Sequence, residues 1–284
     1  MSVYPFLGDA FFDALQGCGA VTPQTGWQPC HLDTGTGWMP LYAKHHSRGE
    51  YVFDFSWADA YQRHGLGYYP KLVTSVPFTP VVGPRWRGEL SVDSLWSGVQ
   101  ETLREQQASG WHLLFPDAAC RELLHELPLV SRQACHFRWV NRDYQDFEDF
   151  LGHFQSRKRK NLRKERRRVQ EQGLIITRHQ GDQISTSDWA FFYQCYASTY
   201  LKRGQLPYLN EAFFSTVGER LADQLMLVLA RDGDRPVAAA LYFFDADCLY
   251  GRYWGCLEER DGLHFELCYY QGIEFAIERR LAAF

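Results

Sequence analysis

The spacing of apolar residues divides the first half of the chain into short helices and strands. Apolar positions that recur every three to four residues predict helices at 5–15, 58–64, 94–109 and 118–127. Extended apolar runs predict strands at 28–32, 38–44, 51–55, 71–78, 111–115 and 129–140. Ser94 and Asp117 stand at the starts of two of these helices, where a side-chain oxygen can accept from free backbone N–H groups.

The second half contains the same kinds of element in a clearer order. A long helix is predicted at 144–172, with Gly173 as its end, and a strand follows at 174–178. Ser187 and Asn210 are predicted to cap the next two helices. Tight turns then separate three strands of an antiparallel meander, at 225–231, 236–244 and 248–254. A final helix is predicted at 263–281. This order predicts an α+β fold with tandem domains at 1–143 and 144–284, not a doubly wound parallel sheet.

Composition excludes several classes of protein. Hydrophobic residues make up 45% of the 284 residues, and the net charge of −4 gives no general attraction to nucleic acid or an anionic membrane. No apolar run approaches the roughly 18 residues of a membrane helix, and the N-terminus lacks the basic start of a secretory signal. The eight cysteines form no CxxC pair. We therefore expect free core thiols in the cytoplasm, with no disulfide, zinc site or tightly bound cofactor.

One segment departs sharply from the acidic balance of the chain. Residues 157–168, RKRKNLRKERRR, hold nine basic residues and one acid, a local charge of +8. On a helix, most of these cations lie outside a narrow apolar stripe. They predict a site for phosphate groups, as in coenzyme A, a lipid-linked precursor or RNA, formed by Arg159, Lys160, Arg163, Arg166 and Arg167. The alternative is a solvated helix face opposite the protein's own acids.

A predicted strand runs through a glycine-containing loop into the last predicted helix, whose N-terminal N–H groups can bind an anion. Glu266 lies in the first turn on an apolar face with Tyr270, where burial can raise the pKa of a carboxylate toward that of a general base. We predict His264, Glu266 and Tyr270 as catalytic residues. Arg252 and Tyr253, neighbours on the strand, are predicted substrate contacts. The alternative role for Glu266 is to stabilise a helix N-terminus.

The segment 38–86 combines eleven aromatic residues with three histidines and three acids. Aromatic walls with a few charged groups are typical of a groove for an elongated polar ligand. Adjacent histidines project in different directions, and neither HxH nor HExxH is present, so we predict no metal site. We predict a substrate site formed by Lys44, His45, His46, Asp54, Trp57 and Lys71. Core packing is the alternative for the aromatic side chains.

No motif for a covalent nucleophile is present, and GxSxG is absent. Direct attack of a bound amine on an activated acyl donor needs no such nucleophile, only orientation, an oxyanion donor and a base. Residues 45–85, HHSRGEYVFDFSWADAYQRHGLGYYPKLVTSVPFTPVVGPR, resemble a family of bacterial predicted N-acyltransferases, often labelled peptidoglycan biosynthesis or recognition proteins. That family belongs to the GNAT superfamily and is related to the Fem-type aminoacyltransferases. The basic segment, the meander and the last helix are similar to its second half.

The resemblance implies two tandem GNAT-like domains and transfer of an acyl or aminoacyl group to an amine. The donor would be acyl-CoA or aminoacyl-tRNA, and the acceptor an amine of a small molecule or cell-wall precursor. Because such proteins continue beyond the helix at 264–281, we expect the second domain to be incomplete at its C-terminus. The alternative from another class is a non-catalytic protein that recognises a cell-wall fragment, a nucleotide or RNA.

Overall fold

The computed structural model describes residues 4–284, which divide into two compact units. The first unit is Phe6–Ala134, and the second is Cys135–Phe284 together with Tyr4 and Pro5. Both combine helices with mixed or antiparallel sheet, so the predicted α+β class is confirmed. No helix in the described part of the chain is long and apolar enough to cross a membrane. The domain boundary after residue 143 stays a prediction.

The first unit contains seven short strands among the described residues. They are β1 (Trp27–Pro29), β2 (Leu32–Asp33), β3 (Gly37–Met39), β4 (Tyr42–Lys44), β5 (Lys71–Thr74), β6 (Arg87–Gly88) and β7 (Trp111–Leu113). One sheet has the order β1-β4-β5-β7, in which only the β5–β7 pair is parallel, and the other has the order β2-β3-β6. Gly88 has φ +73°, and a Cβ there would lie 2.3 Å from the carbonyl oxygen of Thr36. This close approach requires glycine.

Four helices accompany these sheets: α1 (Asp9–Gly17), α2 (Phe55–Arg63), α3 (Val92–Glu105) and α4 (Ala118–Leu123). Helix α3 buries Leu95 and Val99 on one face, as its apolar spacing predicted. Its cap is Ser91, whose hydroxyl accepts from the Ser94 N–H at 3.1 Å, so the prediction of Ser94 as the cap was wrong by one turn. Asp117 caps α4 as predicted, by accepting from the Cys120 N–H at 2.8 Å.

The second unit is built on one antiparallel sheet. Its strands are β8 (Leu174–Gln180), β9 (Leu225–Asp232), β10 (Arg235–Phe244) and β11 (Leu249–Cys256), in the order β11-β10-β9-β8. The predicted meander is therefore confirmed. Helices α5 (Phe147–Gly152), α6 (Ser156–Glu171), α7 (Thr186–Leu201) and α8 (Glu211–Arg220) surround it. A Cβ at Gly255 would lie 1.8 Å from the Cys195 carbonyl oxygen, so glycine allows β11 to approach α7.

The last helix, α9, changes its winding along its length. Leu263–Phe265 is α-helical, Glu266–Tyr270 is π-helical, and Gln271–Glu278 is α-helical again. Leu263, Leu267, Phe275 and Ala276 pack against the sheet in the main core of this unit. A π-helical turn rotates the residues after it relative to an unbroken α-helix, and such turns occur often at functional sites.

Several sequence predictions need correction. Residues 51–54 form no strand and 55 begins α2, and residues 129–139 form neither strand nor helix. The long helix predicted at 144–172 is two helices, α5 and α6, separated at 153–155. Ser185, not Ser187, caps α7, since its hydroxyl accepts from the Asp188 N–H at 3.2 Å. The strands at 51–55 and 129–140 were predicted from apolar content alone. In the first of them, Asp54 is buried and pairs with Lys71, so the segment does not form a strand.

Candidate functional site

A cluster of charged side chains is buried inside the first unit. We define the buried ion cluster as Lys44, Glu50, Asp54, Tyr68 and Lys71, none of which is more than 7% exposed. The Lys71 Nζ donates to Glu50 Oε2 at 2.8 Å and also to Asp54 Oδ2. The Tyr68 hydroxyl donates to the same Asp54 oxygen at 2.6 Å. Lys71 on β5 therefore connects the loop before α2 to the sheet through two ion pairs.

Burial and neighbouring charges shift the pKa values of this cluster in different directions. Burial raises the pKa of Glu50 in spite of Lys71. Burial alone would also raise the pKa of Asp54, but hydrogen bonds from Lys71, Ser47 and Tyr68 outweigh it and lower that pKa. Burial lowers the pKa of Lys44 to about 7, and Lys71 contributes to that decrease.

Lys44 and His112 complete the surroundings of the cluster. The Lys44 Nζ lies 3.5 Å from the centroid of the Trp27 ring and donates to the Arg48 carbonyl at 3.2 Å. His112 Nε2 lies 3.5 Å from the Tyr68 hydroxyl oxygen. Burial, with Lys71 as a second cause, lowers the pKa of His112 to about 4, so its imidazole is neutral at neutral pH.

The structure separates the six predicted substrate residues of the first unit into two groups. Lys44, Asp54 and Lys71 have no exposed surface. Lys71 pairs with Asp54, whereas Lys44 donates to the Arg48 carbonyl group. His45 and Trp57 are exposed. His46 is half-buried, and its Nδ1 accepts from the Arg48 N–H at 3.2 Å. The three buried residues hold the loop in place, and only the other three reach the surface.

The exposed aromatic side chains on either side of Asp54, those of Phe53 and Phe55, were not among the predicted site residues, whereas Trp57 was. Phe53 is 76% exposed, Phe55 56% and Trp57 52%, whereas Asp54 between them is fully buried. Helix α2 buries no residue at all. Glu50, Tyr68 and His112 were also missed. A charged residue inside an apolar run, as in Tyr51-Val52-Phe53-Asp54-Phe55, was the available signal that a partner lies elsewhere.

A cleft of about 290 Å³ lies where β11 leads into α9. It is lined by Trp254, Cys256, Glu258, Glu259, Arg260, Leu263 and His264. The imidazole of His264 lies 5.2 Å from the Trp254 ring, centroid to centroid. Burial lowers the pKa of His264, so the ring is neutral at neutral pH and can accept a proton.

The other two predicted catalytic residues do not line this cleft. Glu266 accepts two hydrogen bonds from Arg166 on α6, at 2.7 and 3.0 Å, and Glu274 accepts a third at 2.5 Å. The Tyr270 hydroxyl donates to Glu165, also on α6, at 2.7 Å. These bonds join α9 to α6. Bidentate pairs of arginine and carboxylate are among the stronger hydrogen-bonded contacts in proteins, so Arg166 gives Glu266 a structural role.

The predicted strand contacts occupy different surroundings. Tyr253 is 8% exposed, and its ring packs against Tyr196 and Phe214 at 5.3 and 5.6 Å. The guanidinium of Arg252 lies 4.9 Å from the Tyr253 ring centroid. Neither residue lines the cleft at the start of α9.

The cations of α6 fall into paired and unpaired sets. Arg163 pairs with Glu148, Arg166 with Glu266 and Glu274, and Arg168 with Asp261. Arg159 donates to the Gly152 carbonyl at 3.4 Å. Five exposed cations form no ion pair with any residue from 4 to 284, and Lys158 is one of them. The spacing of the other four places them along one face of the helix: Arg157, Lys160, Lys164 and Arg167. We call these four the α6 basic stripe. Of the five predicted phosphate contacts, Lys160 and Arg167 belong to it.

Within the described chain, no group of three or more His, Cys, Asp or Glu residues could hold a metal ion.

A family model for FemAB-like proteins, described as peptidoglycan biosynthesis or recognition, matches residues 1–284. A search of curated proteins gives no match.

Three solved structures have similar folds at 11% sequence identity. FemX has a TM-score of 0.52, with 99% of this chain and 83% of FemX covered. The C-terminal domain of a predicted lysylphosphatidylglycerol synthetase from Agrobacterium fabrum has a TM-score of 0.53, with 97% and 73% covered. A conserved protein of unknown function from Bacteroides thetaiotaomicron has a TM-score of 0.52, with 95% and 79% covered. The chain therefore has a FemX-like fold.

Proposed function

The chain belongs to the FemAB-like family of peptidoglycan biosynthesis or recognition proteins, and from this we propose that it transfers an acyl or aminoacyl group to an amine of a cell-wall precursor. The observation that carries the proposal is the match of the family model to the whole chain. The proposal includes a GNAT-like fold for each of the two units, and aminoacyl-tRNA or acyl-CoA as the donor.

We assign the chemical step to the cleft at the start of α9. The amine nitrogen of the acceptor attacks the carbonyl carbon of the donor, a C–N bond forms, and the bond to the leaving oxygen or sulfur breaks. His264 takes the proton that the amine loses, since burial lowers its pKa and keeps it neutral. This assignment moves the base from Glu266, whose carboxylate accepts from Arg166, to His264.

The donor's phosphates bind, in this proposal, along the α6 basic stripe. Its four cations are exposed and unpaired among the described residues, so a polyanion neutralises them without breaking an ion pair. Arg163 and Arg166 would first have to leave Glu148 and Glu266. The proposed phosphate site therefore keeps Lys160 and Arg167 of the five residues predicted from the sequence and adds Arg157 and Lys164.

The test uses purified protein, labelled aminoacyl-tRNA or acyl-CoA, and peptidoglycan precursors that carry a free amine. We expect label transfer to the precursor, with kcat reduced roughly 10²–10⁴-fold in His264→Gln. Replacing the α6 basic stripe by Gln should weaken donor binding and flatten its dependence on salt. Lys158→Gln removes an exposed cation of α6 that lies off the stripe and pairs with no described residue, and it serves as the matched control. If the protein binds a donor but transfers no label in any combination of donor and precursor, the proposal that it is an enzyme is excluded.

One observation favours the second candidate, a non-catalytic binding protein. Catalytic bases are usually oriented by a hydrogen bond to a third group. His264 makes ring contacts with Trp254, Phe265 and Tyr269, but none of the described residues forms a hydrogen bond with it. A binding protein predicts saturable binding of precursor with no transfer from either donor, and with equal affinity in His264→Gln.

A further inference from the structure

The charged side chains that line the cleft at the start of α9 differ in how far they are already paired. Arg260 donates to Glu258 Oε2 at 3.0 Å and to Asp232 Oδ2 at 2.8 Å. Glu258 also pairs with Arg235. These two acids and two arginines form a neutral network. Arg260 therefore has two acidic partners already, and a phosphate or carboxylate of a ligand would have to displace them.

Glu259 is the open carboxylate of the cleft lining. Its Oε1 accepts from the Lys202 Nζ at 3.3 Å, and none of the described residues donates to its Oε2. The side chains of Glu259 and Lys202 are 84% and 50% exposed, so their ion pair contributes little free energy and a cation of a ligand can replace it. The charge of Glu259 also acts on the wall of the cleft. Burial raises the pKa of Cys256, Lys202 opposes that rise, and Glu259 adds to it.

The rest of the cleft lining carries no charge. Trp254, Cys256 and Leu263 supply an indole, a thiol and an aliphatic side chain, and the His264 imidazole lies beside the indole. Burial lowers the pKa of His264, so at neutral pH this ring does not repel a cation. The face of an indole attracts an ammonium group, and apolar side chains favour contact with methylene groups.

A primary ammonium group on an apolar stem matches this lining in charge and polarity. The cleft volume of about 290 Å³ is at the lower end of the range for ligand pockets, which suits the end of a chain better than a whole nucleotide. We propose that Glu259 and Trp254 bind the ammonium group of the acceptor. That group gives one proton to water, and His264 takes the next as the nitrogen forms the C–N bond. The inference rests on the proposed function, since it names the residues that select the acceptor.

Ammonium binding is measured without a donor, so its outcome is separate from that of transfer. The probe is n-pentylamine, which is protonated at pH 7 as lysine side chains are. It is titrated into the full chain by NMR, with n-pentanol and hexanoate as the neutral and anionic probes on the same pentyl stem. We expect saturable binding of the amine, roughly tenfold weaker in Glu259→Gln and threefold or more weaker in Trp254→Leu. Glu278→Gln removes an exposed carboxylate of the same unit, the partner of Arg178, and should bind like the wild type.

Lys202→Gln gives a comparison of opposite sign, because Lys202 competes with the ligand for Glu259. Its removal should raise the affinity for n-pentylamine roughly two- to fivefold. In Lys202→Gln/Glu259→Gln this gain should disappear, since the competition acts through the Glu259 carboxylate. In the transfer assay, Glu259→Gln should raise KM for the precursor and leave kcat near the wild-type value, whereas His264→Gln lowers kcat.

Three results would overturn the ammonium site: no saturable binding of n-pentylamine, equal affinity for n-pentanol, or unchanged affinity in Glu259→Gln. A gain in Lys202→Gln that persists without Glu259 would also overturn it. If the precursor is labelled and Glu259→Gln keeps the wild-type KM, the ammonium site is wrong and the proposed function stands. If n-pentylamine binds as expected and no label is transferred, the cleft is the ammonium site of a binding protein and the proposed enzyme is wrong.

Discussion

Removal of the Lys71 charge should destabilise the first unit strongly. Lys71→Met keeps most of the side-chain volume but leaves Glu50 and Asp54 without their shared cation, and all three side chains are at most 1% exposed. Breaking a buried ion pair from one side costs about 3–5 kcal/mol, because the remaining charge has lost its partner and has no access to water. Because the total free energy of unfolding of a protein is about 5–15 kcal/mol, a loss of this size is a large fraction of it.

Urea denaturation at pH 7 measures the loss, with two variants as comparisons. Lys202→Met breaks the exposed pair with Glu259 and should change the free energy of unfolding by less than about 1 kcal/mol. Lys71→Met/Glu50→Gln/Asp54→Asn removes the three charges together and should recover a large part of the loss, because no carboxylate is left charged without its lysine partner.

The pH dependence gives a second measurement of the same effect. Without Lys71, the pKa values of Glu50 and Asp54 in the folded state rise above those in the unfolded state. A raised pKa means that the folded state holds the proton more tightly, so the stability of Lys71→Met should increase as the pH falls from 7 toward 4. If Lys71→Met loses no more stability than Lys202→Met, water reaches these carboxylates and the description of the buried ion cluster is wrong.

Three further predictions concern single side chains. Burial lowers the pKa of Lys44 from 10.5 to about 7, so the contribution of Lys44 to stability decreases as the pH falls from 10.5 to 7. In urea titrations the free energy of unfolding of Lys44→Met should therefore rise relative to that of the wild type, by up to about 1.4 kcal/mol per pH unit between pH 9 and 7. A constant difference between the two proteins would contradict the lowered pKa. His264→Gln should lose transfer activity with normal stability. Glu266→Gln should lose stability because Arg166 loses a charged partner and one of the two oxygen atoms that accept from it; the reverse pattern would restore Glu266 as the base. Arg85 is fully buried, and its guanidinium donates to the backbone carbonyl groups of Val81, Pro84, Leu114 and Phe115. Arg85→Met should cost about 3–5 kcal/mol by thermal or urea unfolding, and a cost near zero would show that those carbonyls find other donors.

Local signals explain which elements could be predicted. The meander follows from long apolar strands separated by short turns, and Gly233 has the positive φ, 58°, that its turn requires. The strand predicted at 51–55 failed because Asp54 is paired with Lys71, 17 residues along the chain, and hydrophobic pattern does not report such a pairing. Ser91 and Ser94 are both good cap residues, so only the geometry of the first turn distinguishes them.

The candidate sites were harder to predict because a charged residue has the same letter whether it meets a ligand or another side chain. Lys71 and Asp54 were predicted for a substrate and bind each other. Arg166 and Glu266 were predicted for a phosphate and a proton, yet they form one ion pair across 100 residues of sequence. Of the three predicted catalytic residues, His264 lines the cleft. This position could be predicted because a helix that starts just after a strand is a feature of neighbouring residues in the sequence.

The two faces of α6 therefore have separable roles, and charge reversal should distinguish them. Arg166 lies against α9, where its bonds to Glu266 and Glu274 hold the helix that carries His264. Arg167, the next residue, belongs to the α6 basic stripe. Arg166→Glu places a third acid beside two others and should unfold or loosen the second unit at all salt concentrations. Arg167→Glu should leave the free energy of unfolding within about 0.5 kcal/mol of the wild type and weaken only donor binding, most at low salt. Equal stability loss in both variants would mean that the stripe is structural, and the proposed donor site on α6 would fall.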